Sequence, residues 1–310
     1  MKKFLILPVL FFTMMSFSAC SNSKPVQDDK IKVVATIFPV YDWAREIIGG
    51  NKNFDLTLLM DNGVDLHSFQ LSVEDIRKIS ECDVFIYVGG ESDEWVDDAL
   101  KNAANKNMVV VNLMDVLGDK VKSEEHVEGM EENHAHHAQE NDEHIWLSLK
   151  NAQVLCDAIT DALFKAAPDE SLKKNSAAYK EKLAALDENY RDALKTAQGK
   201  TLLFGDRFPF RYLVDDYGLK YFAAFSGCSA ESEASFQTIK FLAGKVDELN
   251  LPCVITIEDA NHKIAETIIA NTAAKNQKIL VLNSMQGKVV GETYLSLMRK
   301  NLEVMREALK

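Results

Sequence analysis

The sequence predicts an α/β protein with two α/β domains, each containing a four-stranded, mainly parallel sheet, joined by a long rigid helix. Short apolar runs alternate with longer amphipathic stretches, which is typical of parallel strands covered by helices. The alternation occurs twice, with four strand-like runs each time. Between the two sets, residues 147–198 have a helical pattern and no strand signal.

The two sets of elements have similar layouts. In the first half, the predicted strands are 32–37, 54–60, 84–88 and 108–112, and the helices are 40–48, 73–80 and 93–105. In the second half, the predicted strands are 201–204, 220–225, 254–258 and 279–282, and the helices are 209–216, 232–249, 263–274 and 292–309. Ser72 is placed to cap the helix that begins at Val73.

The segment between the halves predicts a stiff connection. It begins with a helix over 149–166, breaks at Pro168-Asp169, and continues as a long helix to about residue 197. Gly199 is a suitable stop signal for that helix. A helical connector is stiffer than a Gly/Ser linker, so we expect any closure on a ligand to be a small tilt.

The N-terminus has the layout of a bacterial lipoprotein signal. Two lysines precede a short apolar run, and small residues lead into Cys20. We therefore expect a signal peptide over 1–20, lipidation of Cys20 and attachment to the cell membrane. The alternative is an ordinary cleaved signal in which Cys20 is incidental. The remaining predicted boundaries are a tether over 21–30, an N-terminal domain over 31–146, a helical connector over 147–198 and a C-terminal domain over 199–310.

Composition excludes some classes of function. The formal net charge of −12 argues against nucleic acid as a partner, because nothing would neutralise a phosphate backbone. The spacing of the cysteines indicates no disulfide framework. Cys82, Cys156 and Cys253 are instead expected to be small buried hydrophobic residues.

The seven histidines are the most informative residues. Residues 122–143 form an acidic segment, predicted to be a mobile loop that collects ions loosely. Its four histidines are His126, His134, His136 and His137. The other three, His67, His144 and His262, fall outside the predicted strands. Neutral imidazole is a good ligand for zinc and its first-row neighbours.

Ligands of parallel α/β sheets bind beyond the carboxyl ends of the strands. His67 and His262 each follow a predicted strand, and so do Asp206 and Cys228. His144 lies where the first half passes into the connector. Because these residues come from both halves, they could converge only at the interface between the domains.

Two motifs resemble those of the zinc/manganese-type substrate-binding proteins of ABC transporters. The first runs from Asp65 through His67 to Ser72, and the second is His144-Ile145-Trp146-Leu147-Ser148 followed by Asn151-Ala152. The acidic, His-rich insertion is similar to that of the zinc-uptake branch. This resemblance implies two α/β domains with one metal ion in the cleft between them. It also implies delivery of that ion to the membrane permease of an ABC importer, and we expect the protein to be a monomer.

The sequence departs from the family pattern at the third ligand. In that family, a histidine or an acid usually opens an aromatic pattern after the first strand of the second domain. Matching the aromatic residues of 205–212 to this pattern puts Arg207 at the position of that ligand, and a guanidinium cannot bind a metal. We therefore predict the ligands His67, His144 and His262, with Glu258 as the oxygen ligand. Asp206 and Cys228 are reserve candidates, and a Cys228 thiolate would favour zinc over manganese.

Other functions compete with zinc transport. Within the transport class, two imidazoles plus two carboxylates would favour manganese or iron over zinc. A zinc-dependent hydrolase would need an open coordination position and a general base, but the sequence has no His-Glu-x-x-His helix. A metal-stabilised surface adhesin would not fold without its ion. We expect no enzyme activity and no catalytic residues, with zinc as a transported ligand.

Overall fold

The computed structural model describes residues 30–61, 66–131, 141–227, 233–287 and 290–310. The described strands are β1 (Ile31–Ala35), β2 (Phe54–Leu58), β3 (Val84–Tyr87), β4 (Val109–Asn112), β5 (Thr201–Phe208), β6 (Lys220–Ser226), β7 (Cys253–Ile257) and β8 (Lys278–Leu282). The described α-helices are α1 (Phe38–Ile48), α2 (Val73–Glu81), α3 (Trp95–Lys101), α4 (Leu113–Leu117), α5 (Leu149–Ala166), α6 (Glu170–Lys195), α7 (Arg211–Asp216), α8 (Phe236–Glu248), α9 (Lys263–Ala270) and α10 (Tyr294–Ala308).

The strands form two four-stranded sheets with the same topology. Their orders are β2-β1-β3-β4 and β6-β5-β7-β8. Each described strand pairing is parallel. The chain reverses its direction of travel across each sheet between the two central strands, and ligands of such sheets bind at that point. This architecture confirms the predicted fold class.

Strand β5 is longer than the sequence predicts. It continues past Phe204 to Phe208, with a shift in its register against β6 between Phe204 and Arg207. At Gly205, a Cβ would lie 2.7 Å from the Cα of Ala265 in α9. The helix therefore packs directly on the strand backbone, where only glycine fits. Because β5 extends to Phe208, Asp206 lies within the strand, whereas we expected it to follow the strand.

Several helix ends also differ from the predictions. Helix α3 covers Trp95–Lys101 and is shorter than predicted at both ends. A separate helical turn over Glu91–Asp93 precedes it. The short helix α4 was not predicted. It begins after Asn112, whose side chain accepts hydrogen bonds from the next backbone N–H groups. The Ser72 cap of α2 was predicted correctly, since its side chain accepts from the Asp75 N–H.

The helical connector packs against both sheets. A single hydrophobic core includes Val33 of the first sheet, Leu155 of α5 and Leu282 of the second sheet. In α6, the Tyr190 hydroxyl donates to the Met298 carbonyl of α10 at 2.5 Å. Helix α10 also contacts α1, where the rings of Trp43 and Tyr294 meet edge to face. The halves are thus joined by packed helices as well as by the chain.

The start of the acidic segment is packed on the second domain. Glu125 forms an ion pair with Arg211 at 2.7 Å and accepts from the Tyr221 hydroxyl at 3.0 Å. The Glu131 N–H donates to the Ala224 carbonyl at 3.0 Å, and Met130 is buried. A mobile loop is therefore the wrong description for residues 122–131, which we call the docked arm. His134, His136 and His137 lie outside the described residues.

The three described cysteines that were predicted to be hydrophobic residues are buried, free thiols. Burial raises the pKa of Cys82 and of Cys253 to about 12, so both remain neutral. Within the described ranges, none of the helices combines the length and the apolar character needed to cross a membrane.

Candidate metal site

The structure brings His67 and His144 together. His67 lies on a helical turn, Leu66–Ser68, after β2, and His144 directly precedes the turn Ile145–Leu147 that leads into α5. Their Nε2 atoms are 3.3 Å apart. The side chain of His144 is 0% exposed and that of His67 is 13% exposed. These two imidazoles are therefore mostly closed to solvent.

The surroundings of His144 determine which ring nitrogen carries the proton. Its Nδ1 lies 3.0 Å from the Asp142 Oδ1, which also accepts from the His144 backbone N–H at 2.8 Å. A carboxylate can only accept a hydrogen bond, so Nδ1 carries the proton and Nε2 keeps a lone pair. Asp142 is itself fixed, since its carbonyl accepts from the Tyr212 hydroxyl and its N–H donates to the Lys122 carbonyl, both at 2.8 Å.

His67 has a similar arrangement. Its Nδ1 lies 2.8 Å from the Ser92 hydroxyl and 3.7 Å from the Glu143 Oε2. Glu143 is held by the Ser92 N–H, which donates to Oε1 at 2.8 Å. Burial raises the pKa of Glu143, and its hydrogen bonds with Ser92 oppose that effect. Two oxygen neighbours, one from a carboxyl group, favour the proton on the His67 Nδ1 and a lone pair on its Nε2.

The distance between the two Nε2 atoms suits one tetrahedral ion. Two nitrogens bound to the same tetrahedral zinc at its usual bond length are about 3.3 Å apart. Gly227 approaches the same ring, because a Cβ there would lie 3.2 Å from the His144 Cε1 and 2.8 Å from the Phe208 carbonyl oxygen. A side chain at Gly227 would therefore crowd the His144 ring and the Phe208 carbonyl.

The predicted ligands of the second domain have other partners in this structure. His262 directly precedes α9 with a φ of 55°, and its Nδ1 lies 3.0 Å from the Thr256 hydroxyl. Both oxygens of Glu258 accept from Ser284, from its N–H at 2.7 Å and from its hydroxyl at 2.6 Å. Burial raises the pKa of Glu258, and the bonds from Ser284 oppose this.

The reserve candidate Asp206 also has other partners. Asp206 accepts from the backbone N–H groups of Arg207 at 2.8 Å and Ile257 at 3.2 Å. Cys228 lies outside the described residues. In the part of the chain that the structure describes, no three or more His, Cys, Asp or Glu side chains are grouped so that they could hold an ion. His262 and Glu258 therefore stay predictions as ligands.

Sequence reasoning missed three residues next to the histidines. Asp142 and Glu143 immediately precede His144, and their acidic side chains at that position were an available signal. Gln286 gave no signal, because it is far away in the sequence and an amide is not a preferred zinc ligand. Its Nε2 lies 2.8 Å from the His144 Nε2, and the residue is only 4% exposed.

Comparison with known proteins identifies the family. A family model described as "ZnuA: Zinc-uptake complex component A periplasmic" matches residues 33–308. The chain is 31% identical over 321 residues to "Zinc-binding protein AdcA" of Streptococcus pyogenes serotype M6, with 98% of this chain and 61% of that protein covered. It is 30% identical over 304 residues to "High-affinity zinc uptake system protein ZnuA" of Bacillus subtilis, with 94% of this chain and 93% of that protein covered.

A solved structure supports the same assignment. The Zn(II)-bound ZnuA-like domain of Streptococcus pneumoniae AdcA superposes with a TM-score of 0.71 at 29% identity, covering 90% of this chain and 99% of that one. The chain spans 61% of the length of the Streptococcus pyogenes relative. Because the family model covers nearly the whole described fold, the chain belongs to the family of zinc-uptake complex component A proteins.

Proposed function

We propose that this protein is an extracytoplasmic solute-binding protein that captures one zinc ion between its two domains. The protein would then deliver this ion to the membrane permease of an ABC importer. The observation that carries the proposal is the pair of Nε2 atoms 3.3 Å apart, each with its Nδ1 held by oxygen atoms. Two neutral imidazoles aimed at one point make a site for a first-row metal ion.

The chemistry of the pair favours zinc over manganese or iron. Imidazole suits zinc, whereas manganese prefers carboxylates and water. Among the described residues, the carboxylates of Asp142 and Glu143 lie beside the Nδ1 atoms and support the rings instead of facing the space between them. The relatives named above are zinc-binding proteins, which agrees with this choice.

The remaining ligands are still open. His262 and Glu258 stay in the proposed set, with Asp206 and Cys228 in reserve. The Nδ1 of His262 lies 3.0 Å from the Thr256 hydroxyl, much as that of His67 lies against Ser92, so Nε2 is the atom with which His262 would bind an ion. Replacing His262 by alanine separates the alternatives, since an unchanged zinc affinity would remove it from the set.

The test of the proposal is a double variant, His67→Ala with His144→Ala. We expect one-to-one zinc binding to be lost while the thermal unfolding of the metal-free protein stays close to that of the wild type. Isothermal titration with zinc, in competition with a chelator, measures both affinity and stoichiometry. His126→Ala is the matched control, because this exposed imidazole of the docked arm binds the Glu131 carbonyl, away from the pair. An unchanged affinity in the double variant would refute the proposal.

We also propose that Cys20 is lipidated and anchors the protein to the cell membrane, and that the protein acts as a monomer. Neither nucleic acid nor a chemical reaction is part of the proposed function. A Cys20→Ala variant should then be released into the medium, which fractionation of cells that express it would detect. Retention of that variant in the membrane fraction would contradict the anchor.

A further inference from the structure

Trp146 lies two residues after His144 and forms two hydrogen bonds with distant parts of the chain. Its indole Nε1–H donates to the Ser284 carbonyl, in the loop between β8 and α10, at 2.8 Å. Its own carbonyl accepts from the hydroxyl of Tyr294, the first residue of α10, at 2.7 Å. Trp146 and Tyr294 are both buried, so these bonds are shielded from water. The turn that leads into α5 is therefore attached to two successive elements of the second domain.

The ring of Trp146 also packs beside the imidazole of His144. The two ring centroids are 5.2 Å apart, and the ring planes are inclined at 57°. The His144 side chain is fully buried, so in a close-packed interior its ring cannot move without displacing a neighbour. Trp146 therefore contacts the imidazole directly and also holds the backbone two residues beyond it.

The partners of Trp146 are themselves held in place. Ser284 donates to Glu258 through its N–H at 2.7 Å and through its hydroxyl at 2.6 Å. Tyr294 donates its N–H at 2.9 Å to Asp42 of α1, a residue that is fully buried. Each hydrogen bond of Trp146 thus ends on a residue that has further bonds of its own. Through Ser284 and Glu258, the turn is joined to the sheet of the second domain.

His67 is held from a different side. Its Nδ1 lies 2.8 Å from the hydroxyl of Ser92, which belongs to the first domain. The two Nε2 atoms that face each other at 3.3 Å therefore depend on both domains for their separation. Two nitrogens that share one tetrahedral zinc ion need a separation of about 3.3 Å. The accuracy with which the His144 turn is placed then determines how well the pair holds an ion.

We propose that Trp146 is a positioning residue of the ion site, which fixes His144 to the second domain at the place that an ion shared with His67 requires. Trp146 acts through the turn that carries the imidazole and is not itself a ligand. This inference rests on the proposed function, because it assumes that the imidazole pair binds zinc.

Release of the ion would use the same link. A tilt of the second domain moves Ser284, and the hydrogen bond from Trp146 carries the His144 turn with it. The two Nε2 atoms then leave the separation that suits one zinc ion. Without the link, the His144 ring would be placed less accurately, so the ion would be bound more weakly and released sooner.

The experiment compares Trp146→Phe and Tyr294→Phe with Tyr190→Phe, which is the matched control. Trp146→Phe removes the indole N–H and keeps an aromatic ring, and Tyr294→Phe removes a single hydroxyl. Tyr190 is as fully buried as Tyr294, and its hydroxyl also donates to a backbone carbonyl, that of Met298. The control therefore loses the same kind of hydrogen bond, between α6 and α10, while both bonds of the Trp146 turn remain.

Zinc competition titration and stopped-flow release to a chelator measure the affinity and the release rate. We expect about 10-fold weaker binding and faster release in Trp146→Phe and Tyr294→Phe, on the scale usual for groups that orient a metal ligand. We expect wild-type values in Tyr190→Phe. Urea unfolding of the metal-free proteins measures the stability that each variant loses.

Cobalt(II) in place of zinc gives a second readout, which a loss of stability alone would not change. The visible absorption of bound cobalt(II) depends on its coordination geometry. We expect this spectrum to change in Trp146→Phe and Tyr294→Phe and to match that of the wild type in Tyr190→Phe.

Equal zinc affinities in Trp146→Phe, Tyr294→Phe and Tyr190→Phe would overturn the inference, because the lost bonds would then contribute to stability alone. An unchanged cobalt spectrum in both test variants would overturn it as well. Neither result affects the proposed function, which fails separately if the wild type binds no zinc or if the variant lacking both histidines still binds it. Should Trp146→Phe not fold, the comparison of Tyr294→Phe with Tyr190→Phe decides in the same way.

Discussion

The ring of His144 is oriented by Asp142, an acidic residue that is itself held by hydrogen bonds. Asp142 holds the Nδ1–H of His144, and its own backbone is bound on both sides to Lys122 and Tyr212. Carboxylates that orient a metal-binding imidazole increase its basicity as well as fixing its tautomer. The ring is thus prepared for an ion before one arrives.

Replacing Asp142 should weaken zinc binding without removing a ligand. We expect Asp142→Ala to reduce the affinity about 10- to 100-fold, the usual effect of losing such a supporting group. Asp142→Asn should lose less, because its amide oxygen can still accept from Nδ1. Zinc competition titration measures the difference, and Asp157→Ala, a change at an exposed acid paired with Lys180, is the control. Equal affinities for Asp142→Ala and the wild type would show that the orientation of His144 does not depend on this carboxylate.

Asp93 makes stability depend on pH. Its pKa is raised to about 7, chiefly by burial and also by the nearby Glu143 charge, although the hydrogen bond from the Gly89 N–H lowers it. Its ordinary value is 3.8. Between these values the unfolded chain releases a proton that the folded protein retains, so the free energy of unfolding decreases as the pH rises.

We therefore expect Asp93→Asn to be more stable relative to the wild type at pH 8 than at pH 5. Asparagine retains an oxygen that can accept from Gly89 and has no charge to bury. Urea unfolding of the metal-free proteins at the two pH values gives the comparison. The expectation is contradicted if the stability difference between variant and wild type is the same at both.

At the scale of elements, the docked arm connects the acidic segment to the site. Lys122 binds Asp142, and Glu125 binds Arg211 and Tyr221 of the second domain. Ser123 also forms a bridge with Asn141. The arm is therefore part of the support of His144, even though its composition is that of a solvated charge run.

The two parts of the acidic segment should be separable by mutation. Replacing residues 132–140 with a Gly/Ser linker of the same length should lower the number of zinc ions bound and leave the tightest one unchanged, because the arm stays in place. Glu125→Gln, which removes the charge that pairs with Arg211, should instead leave the number of ions unchanged. Isothermal titration gives both quantities. Loss of the tightest ion in the linker variant would place a ligand within 132–140.

At the scale of the whole molecule, the two sheets share one core with α5, α6 and α10. Relative movement of the domains would have to deform packed side chains, which resist it. This agrees with the small tilt expected from the helical connector, and it makes the site dependent on both halves being folded.

Zinc binding should weaken as the pH falls below about 6, because protons compete with the metal for imidazole. Protonation of any histidine ligand lowers the zinc affinity, since only the neutral ring has a lone pair that can bind the metal. Affinity measured from pH 7.5 to 5.5 by competition titration should fall with a slope that reflects two or more protonations. An affinity independent of pH over this range would indicate that imidazoles are not the principal ligands.

Much of the fold was predictable because its signals are local. Alternating apolar runs located the eight described strands, and the helical pattern after Leu149, with its break at Pro168-Asp169, located the two connector helices to within a few residues. His67 and His144 were singled out because each lies in a motif, and the structure places their Nε2 atoms 3.3 Å apart, while their role as ligands stays a prediction. These features depend on neighbours within one or two turns of chain, so the sequence by itself determined them.

Tertiary structure decided the features that depend on contacts between distant segments. In the extension of β5, Gly205 packs against α9, and the arm is held by Arg211 and Tyr221. Glu258 was predicted as a ligand because the family resemblance implies an acid near this position. That role stays a prediction, and the structure adds that both of its oxygens accept hydrogen bonds from Ser284. Gln286 reaches His144 across 142 residues of sequence. Sequence patterns report which face of an element is apolar, whereas the partner of a buried polar group is determined only when separate elements pack together.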